Sequence, residues 1–111
     1  MTILPNGAKA SLDIRKLKDY CLNASHPRGR HKARVFRKAL GINVDDAAWL
    51  RDALLEAARD GEATHVATDS WGGHWRVDVS VTRHGKSAVI TTVWLAPGDD
   101  DRPRFVTCWV L

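Results

Sequence analysis

The chain is short of the features that usually announce a chemistry. It has only two cysteines, Cys21 and Cys108, and they form no C-x-x-C pair. So widely separated a pair in a cytosolic chain is expected to be buried and reduced, with a disulfide between them as the alternative. No apolar run approaches the roughly 20 residues needed to cross a bilayer. The start, Met-Thr-Ile-Leu-Pro-Asn-Gly, has no basic stretch followed by an apolar core. The reading is a cytoplasmic protein with no signal peptide and no membrane contact. There is no G-x-x-x-x-G-K-[ST] and no G-x-G-x-x-G, so kinase, NTPase and dinucleotide readings have no support. G-x-S-x-G is missing too. His26, His31, His65, His74 and His84 show neither H-x-x-x-H nor H-E-x-x-H spacing, so neither a metal site nor a cofactor is expected. Repeats and low-complexity tracts are lacking.

What is present is an ordinary globular composition. Hydrophobic residues make up 44% and charged residues 27% of the 111, which argues against disorder and for one domain over residues 1–111. The net charge of +4 makes an anionic partner plausible. Its distribution is more informative. From His26 to Lys38 the basic residues Arg28, Arg30, Lys32, Arg34, Arg37 and Lys38 stand with two histidines and no acid. From Asp45 to Glu62 six acids stand against Arg51 and Arg59, a local charge of 2 − 6 = −4. A positive side and a negative side follow, although solvated helix faces produce the same asymmetry.

Spacing predicts the elements. Asp13 can cap a helix to about Asn23, with Ile14, Leu17 and Cys21 facing inward and Tyr20 beside them. His26-Pro27 breaks it and places His26 in a turn. A second helix runs from about Arg30 to Leu40. It buries Ala33, Phe36 and Leu40, sets His31, Arg34 and Lys38 on the opposite face, and ends at Gly41. Asp45 or Asp46 caps a third helix to about Arg59. Strands follow: Ala63–Asp69; a turn at Trp71-Gly72-Gly73; Trp75 to Thr82, cleanly alternating; a hairpin turn Arg83–Lys86; Ser87 to Leu95, nearly all apolar as a central strand is; a loop Pro97–Pro103 carrying Asp99-Asp100-Asp101; and a last apolar strand Arg104–Leu111. The fold class is α+β, with three N-terminal helices on one face of a four-stranded antiparallel meander sheet.

Cleaving RNA without a metal needs a base for the 2′-OH, an acid for the leaving oxygen, and cations around the phosphorus. Histidine serves the first two and arginine the third. His26, Arg28, Arg30, His31, Lys32 and Arg34 supply these types at a turn and helix start, where backbone N–H groups also favour anions. Arg76, Asp78, Ser80, Thr82 and Thr107 on a sheet could form the opposite wall. Of the tryptophans, Trp75, Trp94 and Trp109 read as core, and Trp71 as an exposed stacking platform. A plain nucleic-acid-binding helix, or a solvated one with no partner, has the same composition.

Leu22-Asn23, His26-Pro27, Gly29, Lys32-Ala33, Phe36 and Leu40-Gly41 follow the pattern L-N-x-x-H-P-x-G-x-x-K-A-x-x-F-x-x-x-L-G. Leu4-Pro5-Asn6, Trp49-Leu50 and Val106-Thr107-Cys108-x-Val110-Leu111 extend it. The chain thereby resembles a family of small uncharacterised bacterial domains, found free-standing and as C-terminal tips of polymorphic toxins. Ala24 departs from it, standing where proline is common. The layout is similar to the barnase–EndoU–colicin–RelE class of metal-independent ribonucleases. That resemblance implies a toxin-like ribonuclease acting on RNA such as tRNA, with His26, His31, Lys32 and Thr107 catalytic. Arg28, Arg30, Arg34, Trp71 and Arg76 would hold the RNA. The alternative is a non-catalytic partner-binding module of a toxin–antitoxin or toxin–immunity pair, meeting its partner through the acidic third helix, the Asp99-Asp100-Asp101 loop or the basic helix. Delivery into a target cell within a larger toxin is compatible with either; the oligomeric state is left open.

Overall fold

Helix α1 (Arg30–Leu40) forms where the spacing places it, with Ala33, Phe36 and Leu40 buried and Gly41 ending it. Helix α2 (Ala47–Asp60) is entered through a 3₁₀ turn, Val44–Asp46. Its cap is Asn43 rather than either expected aspartate. The Asn43 side chain accepts from the Asp45 N–H at 2.9 Å, and the Asp46 carboxylate accepts from the Asn43 N–H at 3.0 Å. This reciprocal box satisfies the donors that a helix start leaves open. The computed structural model describes residues 2–97 and 102–111, so the acidic loop at Asp99-Asp100-Asp101 lies outside the described residues.

The first helical segment is shorter than its spacing predicts. Its regular part is a π turn, Leu17–Cys21, closed by the Leu22 N–H on the Leu17 carbonyl at 2.8 Å. Asp13 caps the segment's start as expected, its carboxylate accepting from the Arg15 N–H at 3.0 Å and holding the Arg15 guanidinium, and the Lys16 ammonium donates to the Phe105 carbonyl at 2.6 Å. The wide turn still buries Leu17 and Cys21, the stripe the sequence shows.

Strands β1 (Ala63–Asp69), β2 (Gly72–Arg83), β3 (Lys86–Ala96) and β4 (Arg104–Val110) pair in that order, all antiparallel. The β1–β2 turn is Ser70–Trp71 rather than Trp71-Gly72-Gly73, because both glycines pair within the ladder. The β2–β3 hairpin turns on His84 and Gly85 with φ of 54° and 74°, the left-handed pair that a two-residue loop needs. Helix α1 packs over β3 and β4, and α2 over β2, so the helices share one face of the sheet. Val77, Val81, Ile90, Trp94, Phe105 and Cys108 meet Phe36, Leu40, Leu50 and Leu54 in the core. Buried Thr92 donates to the Val77 carbonyl and accepts from the Trp94 indole, so no polar atom is stranded there. Trp94 is fully buried as expected, and Trp75 packs half-buried against the core. Trp109 is half-buried outside it, opposite Thr91 in the ladder.

The lead-in ties the outer strands together. Ile3 bridges Glu62 beside β1, a 3₁₀ turn follows at Gly7–Lys9, and Ser11 bridges Arg104 at the start of β4. Among the described residues no helix is long and apolar enough to cross a membrane.

Candidate functional site

The segment before α1 is shaped by His26. Its backbone N–H donates to the Asn23 carbonyl at 3.2 Å, and its carbonyl accepts from the Arg30 N–H at 2.9 Å. Its ring nitrogen Nδ1 accepts from the N–H groups of Arg28 and Gly29 at 3.0 and 2.8 Å. An Nδ1 engaged as acceptor places the ring hydrogen on Nε2. His26 thus holds the turn the way a capping side chain holds a helix start. Gly29 is required for another reason: a Cβ there would lie 2.1 Å from the Tyr20 carbonyl oxygen. The turn is therefore pressed against the π turn. The Tyr20 and His26 rings meet edge to face, with centroids 4.8 Å apart.

On the next turn of the chain, Lys32 leaves the shoulder of α1 and reaches β4. Its Nζ donates to Thr107 Oγ1 at 2.7 Å and lies 5.2 Å from the Tyr20 ring centroid and 5.8 Å from that of Trp109. A β-bulge makes this meeting. Val93 pairs with Thr107 and Trp94 with Phe105, leaving Val106 as the extra, exposed residue. Bulges re-aim the side chains beside them, and this one lies next to the threonine that Lys32 finds. Lys16, Tyr20, Cys21, Lys32, Val106 and Thr107 line a groove of about 430 Å³. At its floor the Cys108 thiol donates to Cys21 Sγ, with the sulfurs 3.9 Å apart. That hydrogen bond, together with the nearby Lys32 charge, lowers the Cys21 thiol to about 7. Cys108 is pushed well above its ordinary value by the same bond, by burial and by charge on Cys21.

A second basic tract lies on the other shoulder of α1. Arg30, Arg34 and Arg37 line a groove of about 230 Å³ whose walls include Leu22, Ala24 and Ile42. Arg28 is exposed in the turn, and His31 is exposed on the outer face of α1. The remaining candidates are not drawn in. Arg76 binds Asp78 at 3.0 and 3.1 Å and Thr91 at 3.4 Å, so its charge is answered within the sheet. Trp71 is 72% exposed at the β1–β2 turn. Among the described residues no three His, Cys, Asp or Glu side chains gather as metal ligands.

Of the residues the sequence singles out, Lys32 and Thr107 meet directly and His26 meets the Tyr20 ring beside Lys32, while the parts between them were missed. Tyr20 was legible only as a neighbour of the apolar stripe. Lys16 looks no different from Lys18, which is exposed on the same segment. Arg37, given no role in the sequence reading, completes the arginine groove.

Comparison with known proteins follows the same outline. The family model described as Domain of unknown function (DUF6883) matches residues 3–111. No curated protein matches. Among solved structures, a chain of the contact-dependent growth inhibition toxin–immunity protein complex from Klebsiella pneumoniae 342 shares the fold, with a TM-score of 0.70 at 17% identity. The match covers 90% of this chain and 98% of that one.

Proposed function

This chain belongs to the DUF6883 family, and from that premise we propose that it is a toxin-like endoribonuclease that cleaves RNA in the cytoplasm without a metal. The observation that carries the reading is the convergence of Lys32, Thr107 and Tyr20 on one groove from three separated parts of the chain, with the His26 ring packed edge to face against Tyr20. A solvated helix has no reason to send a lysine across a strand edge to a hydroxyl. The neighbour's place in a toxin–immunity complex and the similarity of layout to the barnase–EndoU–colicin–RelE class support the same reading.

The residues divide the work as follows. Arg30, Arg34 and Arg37 guide the RNA backbone, and Arg28 receives it at the turn. The N–H groups of Arg28 and Gly29 now point at His26 Nδ1. A phosphate oxygen arriving there takes both donors, as anions do at helix starts, and frees the imidazole lone pair. His26 then accepts the 2′-OH proton. Lys32 keeps one N–H on Thr107 and has two for the phosphoryl oxygens, where it offsets the charge that builds in the transition state. Its ammonium also supplies the proton to the departing 5′ oxygen. His31, on the outer face of α1, serves substrate approach only.

The test is purified protein on total RNA and on tRNA, with and without chelator. The expected products carry cyclic phosphate ends and appear equally in both conditions. Intact RNA with wild type, or cleavage unchanged by His26→Ala and Lys32→Met, would sink the proposal.

A second reading is favoured by the acidic helix α2. Asp52, Glu56 and Asp60 are exposed along α2, a surface that suits a basic partner, and the structural neighbour is itself a chain from a complex. The protein is then the non-catalytic half of a toxin–immunity or toxin–antitoxin pair. A stable complex with the product of an adjacent gene, combined with no RNA cleavage by the separated chain, would select it.

A further inference from the structure

The nuclease reading leaves the two cysteines without a task. We propose that Cys21 and Cys108 form a reversible redox site, oxidised by peroxide to an intramolecular disulfide that closes the groove beside Lys32. The closing half of the proposal rests on the function given above; the bond itself does not.

The geometry carries it. The two sulfurs come from residues 87 apart in sequence and sit 3.9 Å from one another with a thiol hydrogen bond between them. A disulfide needs about 2.05 Å between sulfurs, so roughly 1.9 Å of approach suffices. The two sides differ in stiffness. Cys108 is paired to Thr92 within the sheet, whereas Cys21 ends a single π turn. The two thiols are also unequal. Lys32 and the Cys108 S–H favour a thiolate at Cys21, while Cys108 holds its proton. That is the arrangement of an attacking and a resolving cysteine. Cys21 is only 1% exposed but is among the residues lining the groove, the route by which a molecule as small as hydrogen peroxide would reach it.

The step balances. The Cys21 thiolate attacks one peroxide oxygen, the O–O bond breaks, and hydroxide leaves to become water as Cys21 becomes a sulfenic acid. Cys108 sulfur then attacks Cys21 sulfur, the S–O bond breaks, and hydroxide departs with the Cys108 proton as a second water. The sulfur pair has lost two electrons and the peroxide has gained them. A dithiol returns the pair by exchange. Shortening the sulfur pair draws the π turn onto β4, carries Tyr20 away from its place over Lys32, and removes the thiolate that faces the ammonium.

The experiment treats the intact chain with hydrogen peroxide and maps its peptides without reduction. The expected result is one cross-linked pair joining Cys21 and Cys108, lighter by two hydrogens and reopened by dithiothreitol. RNA cleavage should fall at least tenfold in the cross-linked form and recover on reduction. Hydrogen exchange across the π turn and β4 should slow at the same time, a readout that needs no catalysis. Disulfides between copies, or oxidation that stops at sulfinic acid, overturn the redox site. A cross-link that changes neither exchange nor cleavage overturns the closing of the groove. If the reduced chain cleaves nothing, the nuclease reading fails, and the peptide map and the exchange still decide this one. Cys108→Ala should leave peroxide-treated Cys21 as a sulfenic acid with no cross-link.

Discussion

Lys32 Nζ and Thr107 Oγ1 are joined by a 2.7 Å hydrogen bond across 75 residues of sequence. The bond crosses from the first turn of α1 to an edge strand, at the one bulge in β4. It orients a flexible ammonium that would otherwise wander, leaving its other hydrogens directed into the groove.

Lys32→Met keeps the stem and removes the charge. RNA cleavage should fall roughly 100- to 1000-fold, the cost of losing a preorganised donor at a developing charge. Thr107→Val keeps the shape and removes the hydroxyl. Its loss should be about tenfold, the size of one hydrogen bond. Circular dichroism of both variants should overlay on wild type; a collapsed spectrum for Lys32→Met would assign the residue to folding instead.

His26 has two tasks that substitution can separate. His26→Ala removes the acceptor for the Arg28 and Gly29 N–H groups and should cost about 1 kcal/mol in urea denaturation. Asparagine is a good capping side chain, so His26→Asn should restore most of that stability. Neither should restore cleavage, since amide oxygen is no base.

Gly29→Ala tests the close approach. Gly29 has φ −81°, which alanine adopts freely. The penalty therefore comes only from the Tyr20 carbonyl, 2.1 Å from the added carbon. Destabilisation above about 2 kcal/mol is expected, with cleavage lost because Tyr20 shifts. A neutral substitution would mean that the turn and the π turn are not pressed together.

Asp46 gives a pH signature. The Asn43 N–H, then the Arg83 guanidinium, hold its carboxyl below the usual carboxylate range. A group lowered in the folded state stabilises above its unfolded value, near 3.9, and loses that contribution as pH falls through the folded one. Asp46→Ala should cost about 1 kcal/mol at pH 7. The gap between variant and wild type should narrow as the pH falls below the ordinary carboxylate range. A gap independent of pH would mean that charge is not involved.

The arginine groove should show in salt dependence. In a Lys32→Met background, binding of single-stranded RNA should weaken with salt. Each of Arg30→Gln, Arg34→Gln and Arg37→Gln should reduce the logarithmic slope by about 0.7. Unchanged slopes would move the RNA path elsewhere.

Much of this architecture is legible in the sequence because it is local. Ala33, Phe36 and Leu40 with Gly41 define α1, and period-two alternation defines the strands within a few residues. What escapes depends on distant partners. The π turn at Leu17–Cys21 is shaped by contacts with β4, and the bulge at Val106 exists only relative to β3. Asn43 outcompetes Asp45 and Asp46 as a cap because Asp46 is the partner that reaches back. The separation of Arg76 from the site could have been read. Arg76 and Asp78 stand two apart on one strand, so they share a face and answer each other. His26 was visible through Pro27, and Lys32 by its type, but nothing short of the fold brings Tyr20, Cys21 and Thr107 to them.

The bulge-bearing strand has a consequence for timing. Contacts across 75 and 87 residues are late contacts, since long loops must close before they form. A nascent or partly threaded chain ending before Arg104 already carries the histidine turn, the basic helix and three strands. It lacks Thr107, Cys108 and the surface on which Ser11 and Lys16 settle. Such an intermediate has no Lys32–Thr107 and no Cys21–Cys108 contact, and both form only when the final strand docks.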